Sequence, residues 1–195
     1  MGALRFRTLD VDPSHSASMH TRIQEVLGVL DQTRDSLKNA IAGVPTTKQS
    51  VRPSDDRWSV AEVVEHLGIV ESRIAQMITE KIDAAREAGL GAETEATPVA
   101  PMLDINAVIN RSKPITASEA SQPRAGLSTE DGMKILSDRR AALCDTVTAA
   151  DGLALGSIEI PHARLGTLNV YQWLIFLAGH EARHTDQIRE VAASV

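Results

Sequence analysis

The chain has 195 residues, 43% of them hydrophobic and 24% charged, the balance of one soluble globular domain with room for a sizeable core. A net charge of −6 and a pI near 5.5 repel phosphate backbones, and no stretch gathers enough Lys and Arg to offset this, which excludes a nucleic-acid-binding protein. The lone Cys144 allows no internal disulfide, no apolar run approaches the ~18 residues of a membrane span, and Met1 to Asp10 lacks the apolar centre of a signal peptide; the expectation is a cytoplasmic protein away from membranes.

Aromatic residues are only 3% of the chain, so the core must be made of Ala, Val, Leu and Ile, which suits closely packed helices. Apolar residues recur every three or four positions in four segments, with no internal repeat. The first helix is expected over about 18–42, with Ile23, Val26, Leu27, Leu30, Leu37 and Ile41 on one stripe and Gly43 and Pro45 beyond its end. The second is expected over about 59–88. Ser59 and Glu62 have the spacing of a capping box, Val60, Val63, Val64, Leu67, Val70, Ile74, Met77 and Ile78 form the apolar arc, and Gly89 and Gly91 stop it.

A connector follows, 89–127, containing Pro98, Pro101, Pro114 and Pro123. A link this long is unusual inside a compact domain and tends to be functional or disordered, and it lets the flanking helices run parallel. Within it, Asp104 to Arg111 can form a short helix. The third helix is expected over about 128–149, opened by Ser128 and closed at Asp151-Gly152, with Cys144 as a small buried residue upon it. Ile158 to His162 reads as extended. The fourth helix is expected over about 167–193, with Val170, Trp173, Leu174, Leu177, Ile188 and Val191 as its stripe.

That last stripe also carries His180 and His184. Positions four apart share a helix face, about 6 Å apart along the axis, so both imidazoles can reach one cation. Two imidazoles in an apolar seam need donors and acceptors, and charging them there is costly; a shared divalent cation meets both demands. The stretch His180-Glu181-Ala182-Arg183-His184 also spells the zinc-protease motif, but such proteases take a third ligand downstream, and only Glu190 on the same helix is available there. A third ligand must come from upstream, where His15, His20, His66 and His162 are the candidates. His66 ranks first, at the edge of the second helix's apolar arc, and His162 second.

Two stretches give the chain a family resemblance. One is Arg57 to Leu67 (Arg-Trp-Ser-Val-Ala-Glu-Val-Val-Glu-His-Leu), and the other is Pro161 to Ile188, which holds His180, His184 and the pair Gln187-Ile188. The chain resembles the DinB-like family, in which a Trp-Ser pair opens the second helix, a His follows near the end of its second turn, and the fourth helix carries His-x-x-x-His, usually followed by Gln-Ile. The resemblance implies an all-α four-helix bundle over 1–195 with a long crossover between the second and third helices. It implies a metal site of His66, His180 and His184, commonly holding zinc or nickel, and often a homodimer. Relatives include thiol-dependent S-transferases and isomerases. The 89–127 connector departs from the compact family pattern, so the resemblance does not define the substrate pocket.

Three neutral His ligands leave a divalent cation an open position, the arrangement of a catalytic rather than a structural site. It suits activation of water or of a low-molecular-weight thiol acting on a small-molecule substrate. Glu181 is the candidate catalytic base or ligand-supporting carboxylate, against a plain ion pair with a neighbouring helix. Glu62 belongs to the capping box, Arg183 and Asp186 are expected in solvent, and Trp58 and Trp173 anchor packing or wall the pocket. A non-catalytic metal-binding or stress-associated interaction bundle is the alternative class.

Overall fold

In the computed structural model, which describes residues 19–112, 116–124 and 126–195, the chain is a four-helix bundle with a short helix and a β-hairpin added. Helix α1 spans Thr21–Ala42, α2 Val60–Glu87, α3 Ile105–Ile109, α4 Thr129–Ala149 and α5 Val170–Ala192. The expected start of the first helix at Ser18, and His15, lie outside the described residues. His20 is the N-cap of α1, its ring nitrogen accepting from the Arg22 amide. Ser59 and Glu62 form the expected capping box on α2, and Ser128 caps α4. The short helix expected within 104–111 is α3, capped by Asp104.

One boundary differs. The fourth helix was expected from about Thr167, but Gly166–Asn169 is a strand (β2) paired antiparallel with β1, Glu159–His162. Gly166 takes φ +78° at the turn, where a side chain would be strained, and Asn169 then caps α5 in a capping box with Gln172. Alternation of Ile158, Ile160 and Leu168, all buried, holds the hairpin on the bundle.

The long connector makes α2 and α4 parallel. Their C-terminal ends meet where Ala92 bridges Leu153 and Arg86 donates to the Ala149 carbonyl. At the other end Gly132 of α4 lies so close to α2 that a Cβ there would stand 3.0 Å from Val64. Helices α1 and α5 run the opposite way and start together, with Arg22 stacked 4.7 Å over the Tyr171 ring. The apolar interior divides into two clusters: one around Leu30, Ile74, Leu143 and Leu174, the other around Leu37, Leu67, Leu136 and Ile188.

Between these clusters lies a charged layer to which each bundle helix gives one residue: Arg34, Glu71, Arg140 and Glu181, all buried. Arg34 donates to Glu181 at 2.6 Å and to Glu71 at 3.0 Å; Arg140 donates to Glu71 at 3.1 Å and to Glu181 at 3.2 Å. One further donor of each guanidinium reaches a backbone carbonyl, Leu136 for Arg34 and Leu30 for Arg140, and Thr33 donates to Glu181. Two cations thus face two carboxylates with their hydrogen-bonding capacity largely filled, the condition under which buried charge is tolerated.

The connector is fastened along the α5 side of the bundle. Glu93 receives Arg22 and the Tyr171 hydroxyl, and Glu25 accepts the Val99 and Ala100 amides. Helix α3 then lies across α5 at Gly179, the place where α5 is thin enough to admit Ile105 and Val108.

Candidate metal centre

Two helices bring three histidines together. His66 lies in the second turn of α2, whose start is pinned by the Ser59–Glu62 box and by Arg52 clasping the Glu62 carboxylate. His180 and His184 sit one turn apart on α5. One ring nitrogen from each of the three lies within 4.8 Å of the others. Ring centroids are 5.2 Å apart for His66 and His180, 4.7 Å for His66 and His184, and 4.6 Å for His180 and His184.

The proton positions follow from the partners. His66 Nδ1 is 2.6 Å from the Ser121 carbonyl, which can only accept, so Nδ1 carries the hydrogen and Nε2 bears the lone pair. His184 Nδ1 is 2.8 Å from Gln187 Oε1, with the same consequence. Burial lowers the pKa of all three rings: His66 is depressed, His184 falls to about 3, with His66 adding to the effect of burial, and His180 is driven well below its ordinary value, with its two neighbours adding to burial. All three are therefore neutral ligating forms at neutral pH.

His66 Nε2 and His180 Nε2 face each other at 3.3 Å. Two nitrogens bound tetrahedrally at the usual zinc–imidazole distance stand about 3.3 Å apart, so this spacing fits a shared cation. His180 Nδ1 is sealed from solvent and has no hydrogen-bond partner among the described residues. An imidazole with one nitrogen orphaned and the other aimed at a neighbour's lone pair lacks something in the protein alone, and the donor set suits a borderline divalent ion.

Aromatic rings border the cluster. Trp58 lies 5.0 Å from His66, and Phe176 lies 6.1 Å from His180. Phe176 continues to His162 at 4.6 Å and to Trp173 at 5.6 Å. Trp173 also donates to the Ile160 carbonyl, so it anchors the hairpin as well as extending this wall.

His162, second among the possible third ligands, is not brought to the triad. Its Nδ1 accepts the Arg164 and Leu165 amides at 3.1 Å each, which closes the hairpin turn and consumes that lone pair. Glu181 also stands elsewhere than the catalytic reading requires. Its oxygens are taken by Thr33, Arg34 and Arg140, so the side chain is the helix-pairing carboxylate and not a base turned to the imidazoles. Arg183, expected in solvent, is 7% exposed because α3 covers it and its guanidinium reaches the Asn110 carbonyl. Asp186 is partly exposed and pairs with Arg189 at 2.6 Å.

Sequence reasoning missed Arg34, Glu71, Arg140, Ser121 and Arg111. The first three interrupt apolar stripes at core spacing, a signal that was present. Ser121 and Arg111 act from the connector, where no periodicity marks them.

Comparison with known proteins extends the same assignment beyond the site. The family profile described as the DinB superfamily matches residues 29–188. The uncharacterized protein YuaE of Bacillus subtilis (strain 168) is 23% identical over 169 residues, spanning 87% of this chain and 98% of its own length. Among solved structures, TT2238, described as a four-helix bundle protein, aligns with a TM-score of 0.57 at 21% identity over 86% of this chain and 98% of that one, a likeness of fold. With its bundle, its crossover and most of its length accounted for, this chain belongs to the DinB superfamily.

Proposed function

We propose that the protein is a divalent-metal-dependent enzyme in which His66, His180 and His184 hold zinc or nickel and the remaining coordination position serves a small-molecule substrate. The observation that carries this reading is the convergence of three neutral imidazoles from two helices, with Nε2 of His66 and His180 3.3 Å apart. When bound, such an ion supplies Lewis acidity to a water or a low-molecular-weight thiol.

The chain's own residues do the rest. The Ser121 carbonyl and Gln187 hold two imidazoles in the ligating tautomer. Trp58, Phe176 and Trp173 give an apolar wall that keeps water away from one side and suits the carbon skeleton of a substrate. His162, with Nδ1 occupied, offers only its Nε2–H, a donor for a polar group lying along that wall. The same reading takes the protein to be a cytoplasmic homodimer, for which light scattering should give about twice the 21.0 kDa chain mass.

The engagement of Glu181 by Arg34 and Arg140 favours a second reading, a non-catalytic metal-binding bundle, because it takes up the carboxylate that the sequence offered as a base. Elemental analysis of purified protein should give one zinc or nickel per chain, lost in His184→Ala. Thiol-transfer and esterase assays with and without chelator then separate the readings. Chelator-sensitive turnover supports the enzyme, stoichiometric metal with no turnover across a broad panel supports the binding bundle, and full occupancy in His184→Ala overturns the ligand set.

A further inference from the structure

Two of the three imidazoles are oriented by groups whose own positions depend on the connector. His66 points Nε2 into the cluster because its Nδ1–H is held by the carbonyl of Ser121, in a single 3-10 turn, Glu119–Ser121, of the connector. That turn is tied down beside α2, where the neighbouring Arg124 amide donates to Glu65 at 2.8 Å.

His184 is held one step more remotely. Its Nδ1–H is accepted by Gln187 Oε1 at 2.8 Å, and the same oxygen receives Arg111 Nη1 at 3.4 Å. A guanidinium has donors only, so the amide end lying between Arg111 and His184 must be the oxygen. Without Arg111 the amide is free to turn its NH2 toward His184, which would require the lone pair on Nδ1 and move the proton to Nε2, the nitrogen the cluster needs bare. Arg111 is in turn fixed by the Glu190 carboxylate at 2.9 and 3.1 Å and by the seating of α3 on Gly179.

We propose that Gln187 and Arg111 are positioning residues that lock His184 in its Nδ1–H tautomer, and that the connector thereby sets the affinity of the three-histidine site for its cation. This inference rests on the metal reading above. Acceptors behind metal-ligating histidines raise ligand basicity and fix ring orientation, and their loss typically costs about 10–100-fold in metal affinity.

The test uses the full chain and two readouts. In the metal-free protein at neutral pH, 15N–1H correlation spectra of the imidazoles should report Nδ1–H for His66 and His184. Gln187→Leu should move His184 to Nε2–H and leave His66 unchanged, while Gln187→Glu, a better acceptor of the same reach, should restore Nδ1–H at His184. Zn2+ affinity, measured by competition with a chelating dye, should fall about 10–100-fold in Gln187→Leu, less in Arg111→Leu, and not at all in Gln187→Glu. Thermal midpoints of the metal-free variants should agree, which a merely structural role for Gln187 would not allow.

An Nε2–H tautomer at His184 in the wild type, or equal affinity losses in Gln187→Leu and Gln187→Glu, would overturn the proposal. So would wild-type affinity in Gln187→Leu, and in that case the three-histidine site itself would stand. Absence of any Zn2+, Co2+ or Ni2+ uptake by the wild-type protein would overturn the metal reading, and the affinity claim with it.

Discussion

The charged layer of Arg34, Glu71, Arg140 and Glu181 and the triad of His66, His180 and His184 both put polar groups inside an aliphatic bundle, yet their chemistry is opposite. In the layer, opposite charges neutralise one another, each guanidinium also reaches a backbone carbonyl, and Thr33 donates to the Glu181 carboxylate. In the triad, like groups meet, two Nε2 atoms face each other, and His180 Nδ1 has no partner among the described residues. A saturated cluster needs nothing further and fixes how four helices fit together. An unsaturated one, kept neutral by burial, has hydrogen-bonding and ligating capacity left for something that is not protein. Adjacent residues of α5, His180 and Glu181, face these two environments.

The largest effect should come from breaking the saturated layer. Arg140→Leu leaves Glu71 and Glu181 buried with only Arg34 between them, and removal of one partner from such a network costs about 3–5 kcal/mol. Urea denaturation of the metal-free protein measures this, and metal stoichiometry in the protein that remains folded should be unchanged. His180→Leu should do the reverse: it abolishes metal binding but keeps metal-free stability within about 1 kcal/mol of wild type, since it replaces an unsatisfied buried polar group with an apolar one. If His180→Leu unfolds the protein and Arg140→Leu does not, the two clusters have exchanged roles and the contrast fails.

Acid should act on the triad. His184 has an ordinary pKa of 6.5 in the unfolded chain and about 3 in the folded one, and His66 and His180 are shifted in the same direction. Between those values the unfolded chain binds protons that the folded chain refuses, so stability is complete above about pH 6.5 and declines as pH falls toward the native pKa values. Each such histidine contributes a slope of ~1.4 kcal/mol per pH unit across its window. Denaturation of metal-free protein at a series of pH values tests this, and His180→Leu should remove one histidine's share. A flat profile between neutrality and pH ~4 would mean that the imidazoles are charged or open to solvent in the folded state.

How much of this was legible in the sequence varies with the range of the interaction. The helices could be read because periodicity and caps are local: the Ser59–Glu62 box and the Ser128 cap stand where their residue types require. The His180–His184 pair could be read because helical spacing alone fixes which side chains share a face. The charged layer was half legible. Arg34 sits between Leu30 and Leu37, Glu71 between Leu67 and Ile74, and Arg140 between Leu136 and Leu143, always four after one core residue and three before the next. Two positive and two negative charges in core positions of a four-helix pattern ask for each other, and that pattern also identifies Glu181 as a member of the layer. The connector was not legible. The Ser121 carbonyl is a backbone group, Arg111 lies in a segment with no period, and the start of α5 was misplaced because the residues of β2 also suit a helix's first turn until Gly166 and the partner strand are considered.

The smallest effect concerns the joint between connector and bundle, and it bears on whether the two clusters differ in rigidity as well as in saturation. A Cβ added at Gly179 would stand 3.0 Å from Ile105 and 3.1 Å from Val108. Ala in mid-helix gains about 1 kcal/mol over Gly, while overpacking typically costs about 1–3 kcal/mol when the neighbour cannot move. Here the neighbour is a helix of five residues, Ile105–Ile109, held by Arg183 and Arg111 rather than set between two bundle helices, so it can yield by a few tenths of an ångström. Gly179→Ala should therefore leave global stability within about 1 kcal/mol of wild type, while amide exchange in α3 quickens and Zn2+ affinity weakens by no more than a few-fold through the loosened Arg111 contact. Gly179→Leu, too large to be absorbed, should drive α3 off α5 and weaken Zn2+ binding as far as Arg111→Leu does. Were Gly179→Ala instead to cost about 3 kcal/mol, α3 would have to be counted as a fixed part of the core, as unyielding as the helices that carry the charged layer.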